Sequence, residues 1–270
     1  MTHDCTMVIP CYNEALRLDA AAFVRFVESN PTCRLLFVND GSTDNTIDLL
    51  HDLCRHGHQR IDILDLPCNG GKAEAVRRGV LSALDGGAAY VGFLDADLAT
   101  PLSVIPQFCD ILNRRVPCQL VIGCRLPLLG HSIERRYYRQ VLGKAFCWAA
   151  SRVLGLTIHD TQCGAKLFRA SAECRRAFAT PFASRWIFDV ELIARLLRLW
   201  REAKQLEPRQ AIFEYVLEEW REVRGSKLRS TDFLRAFFEI AGIAWSAGAV
   251  PELFPMSPEV KPRPDESKAA

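Results

Sequence analysis

The chain has 270 residues, 49% of them hydrophobic, and 34 Lys and Arg against 32 Asp and Glu give a net charge of +2. That apolar content suffices for one large α/β domain, and the even charge balance gives no support to nucleic-acid binding. The 11 Cys are scattered with no C-x-x-C pair, which excludes the common zinc and dithiol motifs and predicts reduced core thiols in a cytosolic protein.

Met1-Thr2-His3-Asp4-Cys5 runs straight into a strand, without the basic and apolar regions of a signal peptide. No uncharged apolar run reaches the ~18 to 20 residues of a membrane span. Short apolar runs predict strands at Thr6 to Pro10, Leu35 to Asn39, Ile61 to Leu66, Tyr90 to Leu94 and Leu120 to Gly123. Between them, helical spacing covers Asp19 to Glu28, Thr43 to Arg55, Lys72 to Leu84 and Pro101 to Asn113. The alternation is βαβ repeated, so we expect a single α/β domain, a mostly parallel sheet with helices on both faces. Further on, helices are expected at Ile133 to Leu154, Ser171 to Phe178, Phe188 to Trp200 and Ser230 to Ala247, with a strand at Ala211 to Leu217. From Pro251 onward five prolines and mixed charges predict a disordered tail. The expected division is a catalytic domain over 1–229, an amphipathic helix suited to an interface over 230–250, and the tail over 251–270.

Chemistry concentrates where the strands end. Asp95-Ala96-Asp97 closes the Tyr90 to Leu94 run, at the carboxyl edge where open α/β sheets bind ligands. Two such carboxylates repel unless a cation compensates, and oxygen ligands favour Mg2+ or Mn2+ completed by diphosphate oxygens and water. Asn39-Asp40-Gly41-Ser42-Thr43-Asp44 closes the second strand: Gly41 permits a tight turn, Ser42 or Thr43 can cap, and an exposed Asp40 is free to accept hydrogen bonds from a nucleoside. Pro10-Cys11-Tyr12-Asn13-Glu14 offers an aromatic face for a base and a carboxylate for ribose hydroxyls. Asn69-Gly70-Gly71-Lys72 opens a helix where backbone N–H groups and a lysine could meet phosphate, although it has neither the P-loop spacing nor the dinucleotide glycine fingerprint. Each segment alone is equally a plain βα turn; four on one sheet edge are a far less probable coincidence.

Together these segments resemble the family 2 glycosyltransferases of the GT-A fold. The resemblance implies that Pro10, Tyr12, Glu14 and Asp40 hold the nucleoside of a nucleotide sugar, and that Asp95 and Asp97 bind its diphosphate through the metal. Asp160-Thr161-Gln162-Cys163-Gly164-Ala165-Lys166, the run Arg185 to Leu192, and Trp220 to Lys227 are similar to the dolichyl-phosphate β-glucosyltransferases. Gly123-Cys124-Arg125 resembles the G-S-R of that branch and of the polyprenyl-phosphate mannose synthases, and would place Arg125, with Lys72 and Lys227, near phosphates. Ala165 departs from the usual phenylalanine, and an anchor like the amino-terminal one of the eukaryotic enzymes is not expected. Leu98-Ala99-Thr100-Pro101 mixes the two branches, with Ala99 where the mannose synthases carry a glutamine.

The resemblance therefore implies glucose transfer from UDP-glucose to a polyprenyl phosphate with inversion. A phosphate monoester is largely dianionic at neutral pH, its second pKa being ~6, and attacks without a general base. Arg135, Arg136, Arg139 and Lys144, with Tyr137, Tyr138, Phe146 and Trp148, suit either a membrane surface or a solvated amphipathic helix. A cytoplasmic protein touching the cytoplasmic membrane face is expected. Alternatives are open: mannosyl transfer from GDP-mannose, a soluble hydroxyl acceptor with Asp189 or Glu191 as base, or nucleotide-sugar binding without catalysis. Asp160 is a third carboxylate, positioning the acceptor or a basic residue.

Overall fold

The computed structural model describes residues 5–57, 59–126, 128–134, 137–184, 187–203, 207–221 and 239. In chain order the elements are β1 (Cys5–Cys11), α1 (Ala20–Ser29), β2 (Cys33–Asp40), α2 (Thr46–His56), β3 (Ile61–Leu66), α3 (Lys72–Asp85), β4 (Tyr90–Leu94) and α4 (Val104–Arg114). There follow β5 (Leu120–Cys124), β6 (Ser132–Glu134), α5 (Tyr137–Leu154), β7 (Ala165–Arg169), α6 (Ala172–Ala179), α7 (Phe188–Ala203), α8 (Pro208–Ala211), β8 (Ile212–Val216) and β9 (Glu219–Arg221).

Seven strands form one sheet in the order β3-β2-β1-β4-β7-β5-β8. β1 pairs in parallel with β2 and β4, β2 with β3, and β5 with β8, while β7 runs antiparallel to both β4 and β5. The strand period splits β1 between two cores. Val8 packs with residues of α3, α5, α6 and α7 on one face; Met7 and Ile9 pack with residues of α1, α2 and α4 on the other. Helix ends follow local chemistry: the Asp19 carboxylate accepts from Ala22 N–H at the start of α1, and the Ser171 hydroxyl from Cys174 N–H at the start of α6. In α1 the spacing of Phe23, Phe26 and Val27 gives one buried stripe.

The expected fold class holds, with three local corrections. β7 was not expected from the sequence, because its five residues alternate Lys166 and Arg169 with apolar neighbours and show neither a long apolar run nor clean amphipathicity. The helix expected from Ile133 begins at Tyr137, since Ile133 pairs with Trp220 in a small parallel β6–β9 sheet. The strand expected from Ala211, β8, starts at Ile212, after one helical turn opened by Pro208. Apart from Glu239, which is helical, the expected helix Ser230 to Ala247 lies outside the described residues, as do the tail, Arg135, Arg136 and Lys227.

β4 and β7 approach closely because Gly92 has no side chain: a Cβ there would meet the Lys166 carbonyl oxygen at 2.2 Å. Gly92→Ala is expected to destabilise the fold by about 1–3 kcal/mol by forcing the two central strands apart, read as a lower midpoint in urea with the slope unchanged.

Candidate active site

The carboxyl ends of β1, β2, β3 and β4 bring the four sequence segments to one edge, and hydrogen bonds between loops fix them. Asn13, at φ 53°, donates its N–H to Ser42 Oγ at 3.0 Å and accepts from Thr43 N–H at 2.8 Å. The Glu14 N–H donates to Thr46 Oγ1 at 2.8 Å, and that of Ala15 to the Asp44 carboxylate at 3.3 Å. Asn is among the few non-glycine residues that tolerate this left-handed backbone, so Asn13 suits the turn as well as the clasp. Pro10 and Tyr12 are half-buried beside it, and the buried Glu14 pairs with Arg17 Nη2 at 2.5 Å.

Two expectations for the second loop are corrected. Asp40 is not exposed but 2% accessible, its two oxygens accepting the N–H groups of Gly70 and Gly71 at 2.8 and 2.9 Å. Those are the amides expected to meet phosphate; they hold the start of α3 against β2 instead. Nor do Ser42 and Thr43 cap α2. Asn45 stands at that position without a side-chain bond, and the Asp44 carboxylate before it accepts from Thr46 N–H and hydroxyl at 3.0 and 2.5 Å. Burial tends to raise the Asp44 pKa, but these bonds and that from Ala15 outweigh it and leave the carboxyl below its usual range. Gly41, at φ +61°, meets the expectation of a tight turn, and a Cβ on it would strike the Cys68 carbonyl carbon at 2.6 Å.

Lys72 emerges from this anchored turn and its Nζ lies 2.5 Å from Asp95 Oδ1. Burial lowers the Lys72 pKa, while Asp95, Asp189 and Asp97 raise it by more, so the ammonium is held above the ordinary lysine value. The Asp95 N–H donates to the Gly164 carbonyl at 3.1 Å, and a Cβ on Gly164 would lie 2.0 Å from Asp95 Oδ2. Only glycine leaves room for the carboxylate there. Asp97 accepts from Ala99 N–H at 3.0 Å after Leu98 turns the chain at φ 55°. Burial first, and repulsion from Asp95 second, hold the Asp97 carboxyl above its usual range.

Across the sheet, Arg125 grips Asp160 with Nε at 2.6 Å and Nη2 at 2.8 Å, and its guanidinium carbon sits 5.2 Å from the Trp220 ring centre. Asp160 thus positions a basic residue, and its own N–H is tied to Glu214. Burial opposes the Arg125 charge but Asp160 more than restores it; Asp95 also lies within electrostatic reach.

The two α7 carboxylates face different partners. Asp189 Oδ1 accepts from Lys166 Nζ at 2.5 Å, and Lys166, which is 0% exposed, also donates to Cys163 O at 2.8 Å. Glu191 accepts from the Ala183 and Ser184 amides and from Arg195 at 2.6 Å, bracing the turn before α7. The site therefore gathers Lys72, Asp95, Asp97 and Asp189, with Arg125 nearby, and leaves Glu191 to that turn. Lys166 closes the Asp160 to Lys166 run quoted from the sequence but was given no role there; the structure pairs it with Asp189. Among the described residues no group of three or more His, Cys, Asp and Glu is placed to hold an ion, so Asp95 and Asp97 would form a partial site.

The family model described as glycosyl transferase family 2 matches residues 6–174. A dolichyl-phosphate β-glucosyltransferase of Homo sapiens is 31% identical over 243 residues, covering 84% of this chain and 70% of the relative. One from Trichomonas vaginalis is 30% identical over 254 residues, covering 88% and 70%. Among solved structures, glucosyl-3-phosphoglycerate synthase from Mycobacterium tuberculosis in complex with Mn2+, UDP-glucose and phosphoglyceric acid aligns with TM-score 0.63 at 16% identity, over 93% of this chain and 82% of that one. Its complex with Mg2+ and UDP gives 0.61 at 18%, over 93% and 81%. The low identity makes this a likeness of GT-A fold.

Because the folded pKa of Asp97 is raised, its contribution to stability is full below the unfolded value and is lost as pH rises through the folded one, above the ordinary 3.8. Asp97→Asn is expected to remove that loss, leaving the metal-free protein as stable as the wild type at neutral pH or more stable by about 1 kcal/mol or less. The same variant should lose most of the thermal stabilisation given by Mn2+ with UDP. Melting curves from pH 4 to 8, with and without ligand, check both outcomes.

Proposed function

The chain belongs to glycosyl transferase family 2, and on that premise we propose that this glycosyltransferase moves glucose from UDP-glucose to a polyprenyl phosphate with inversion. The observation that carries the acceptor reading is the state of the three carboxylates weighed as bases or acceptor-positioning groups. Asp189 is paired with buried Lys166, Glu191 with Arg195 and two amides, and Asp160 with Arg125. Each of the three is engaged in an ion pair within the protein, which disfavours its serving a hydroxyl acceptor; a phosphate dianion needs no base. The names of the human and Trichomonas relatives support the same acceptor and sugar.

Asp95 and Asp97 fit a divalent ion on their own chemistry: two carboxylates at a strand end, one held above its usual pKa by burial and the other's charge. Mg2+ or Mn2+ bound there would supply charge neutralisation for the departing UDP. The protein's own groups do the rest. The interlocked loops at Pro10, Tyr12 and Glu14 seat the nucleoside, with Asp40 bracing the turn before Lys72, and Lys72 and Arg125 offer cations to the diphosphate. An acceptor phosphate oxygen attacks the anomeric carbon from the face opposite UDP; the bond to the β-phosphate oxygen breaks, and its electron pair leaves with UDP. Lys227, outside the described residues, is proposed for the same phosphate region.

A long-chain lipid phosphate has to be met at the headgroup plane. Among the described residues no helix is long and apolar enough to cross a membrane. We assign the contact to α5, where Trp148 is 65% exposed with Arg152 stacked 5.2 Å away, and to the segment from Ser230 onward.

Incubating the protein and Mn2+ with a panel of nucleotide sugars and polyprenyl phosphate should yield a hexosyl lipid phosphate from UDP-glucose by mass spectrometry. UDP should raise the melting temperature more than GDP does. A larger GDP shift would move the donor to GDP-mannose, and product only with a soluble sugar acceptor would reject the lipid reading. Anionic vesicles should carry the protein upward in flotation at low salt, less so after Arg135→Glu with Arg139→Glu.

A further inference from the structure

Four charges alternate beneath the strand ends. Lys166 on β7 is sealed in place, fully buried, bonded to Asp189 and Cys163, with the Phe93 ring centre 5.2 Å from its Nζ. Lys72 is different. It stands at the first position of α3 with its side chain 40% exposed and its ammonium 2.5 Å from Asp95 Oδ1. Among its carboxylate neighbours Asp95 acts on it most strongly, Asp189 next and Asp97 after that. Residues of α3 and α7 pack in one core cluster on the same face of the sheet, and the Asp95 N–H bonds Gly164, two residues before the Lys166 that holds Asp189, so Lys72 stands on the face that carries both carboxylates, with Asp95 at ion-pair distance and part of the pair read above as holding a divalent ion.

A divalent ion on Asp95 and an ammonium at ion-pair distance from the same oxygen repel each other. The ammonium has to move when the ion arrives. We propose that Lys72 is a resident counter-ion of Asp95 that passes to Asp189 when a divalent cation and a nucleoside diphosphate enter, making Asp189 a positioning residue for donor binding. Before the exchange Lys72 offsets part of the Asp95 and Asp97 charge. After it the ion neutralises both carboxylates, and Lys72, Asp189 and Lys166 together carry one net positive charge toward the incoming diphosphate. Lys166 matters to this balance: with its own ammonium fixed, Asp189 is a moderate attractor for Lys72, strong enough to receive it and too weak to strip Asp95 beforehand.

This inference rests on the reading of Asp95 and Asp97 as the ion-holding pair, and its test separates the two. Direct binding of Mn2+, followed by electron paramagnetic resonance with no acceptor and hence no turnover, is measured alone and with UDP. Variants are Lys72→Met, Asp189→Asn and the two combined. Because Asp189→Asn leaves Lys166 buried without its carboxylate, the same set is also made on Lys166→Met. Lys72→Met should bind Mn2+ alone about 10-fold more tightly, since the competing cation is gone, and Asp189→Asn about 5-fold more weakly, since Lys72 then has no second partner. In the Lys72→Met background, Asp189→Asn should have no further effect. An equal loss from Asp189→Asn in both backgrounds, or unchanged or weaker Mn2+ binding by Lys72→Met, would overturn the exchange while leaving the ion site intact. No Mn2+ binding by the wild type even with UDP would overturn both.

Discussion

Asp95 and Asp97 repel each other at the end of a buried strand, and the neighbouring elements are built around that repulsion. Asp95 can sit where it does because Gly164 presents no side chain to its carboxylate and a carbonyl to its N–H. Gly164 is held there because β7 follows at Ala165, hydrogen-bonded to β4 on one side and β5 on the other. β7 in turn fits against β4 only because Gly92 is bare. Two glycines and one antiparallel strand thus set the place of a single carboxylate. Its charge is then met from α3 by Lys72, whose own position depends on Asp40 holding the turn before it.

Much of this was legible in the sequence, and what was not has identifiable causes. β1, β2, β4 and β5 announced themselves as apolar runs, because strands buried on both faces need no alternation; β3, at the sheet edge with Asp62 and Asp65 exposed, was read from its Ile and Leu residues, and the helices between them followed from spacing and caps. β7 did not, since its strand character comes from partners far away in the chain. The site residues were found as a set because they lie at strand ends. Their individual states were not, because a motif names a residue without naming its hydrogen bonds. Asp40 was expected to face a ligand and instead closes two amides; Asp189 and Glu191, two residues apart on α7, point to different cations. Lys166 was quoted within a motif but given no role, because a lysine inside a sheet is decipherable only once Asp189 is beside it.

The cations are of two kinds, and the difference is physical. Arg125, Arg195 and Lys166 are largely withdrawn from water and each is matched to a carboxylate, so each is a charge fixed in place. Lys72 reaches solvent and meets its carboxylate at the edge of the cleft, where screening makes such a contact cheap to exchange. For the proposed reaction, in which a doubly charged ion and a diphosphate would enter and a diphosphate leave, fixed charges keep shape and one mobile charge follows the load.

The position of β7 also bears on how the polypeptide emerges from the ribosome. The first four parallel strands can assemble as soon as residue 94 is out, yet one edge of β4 then stays bare until residues 165–169 arrive. β5 waits for the same segment. For that interval the nascent chain carries an open apolar strand edge, Tyr90 to Leu94, of the kind to which other chains add, and α5 has to be spun out before it is covered. The last strand to enter the middle of the sheet is therefore also the one that completes the seat of Asp95, so a chain that stalls before β7 has the donor-side loops but no finished catalytic edge.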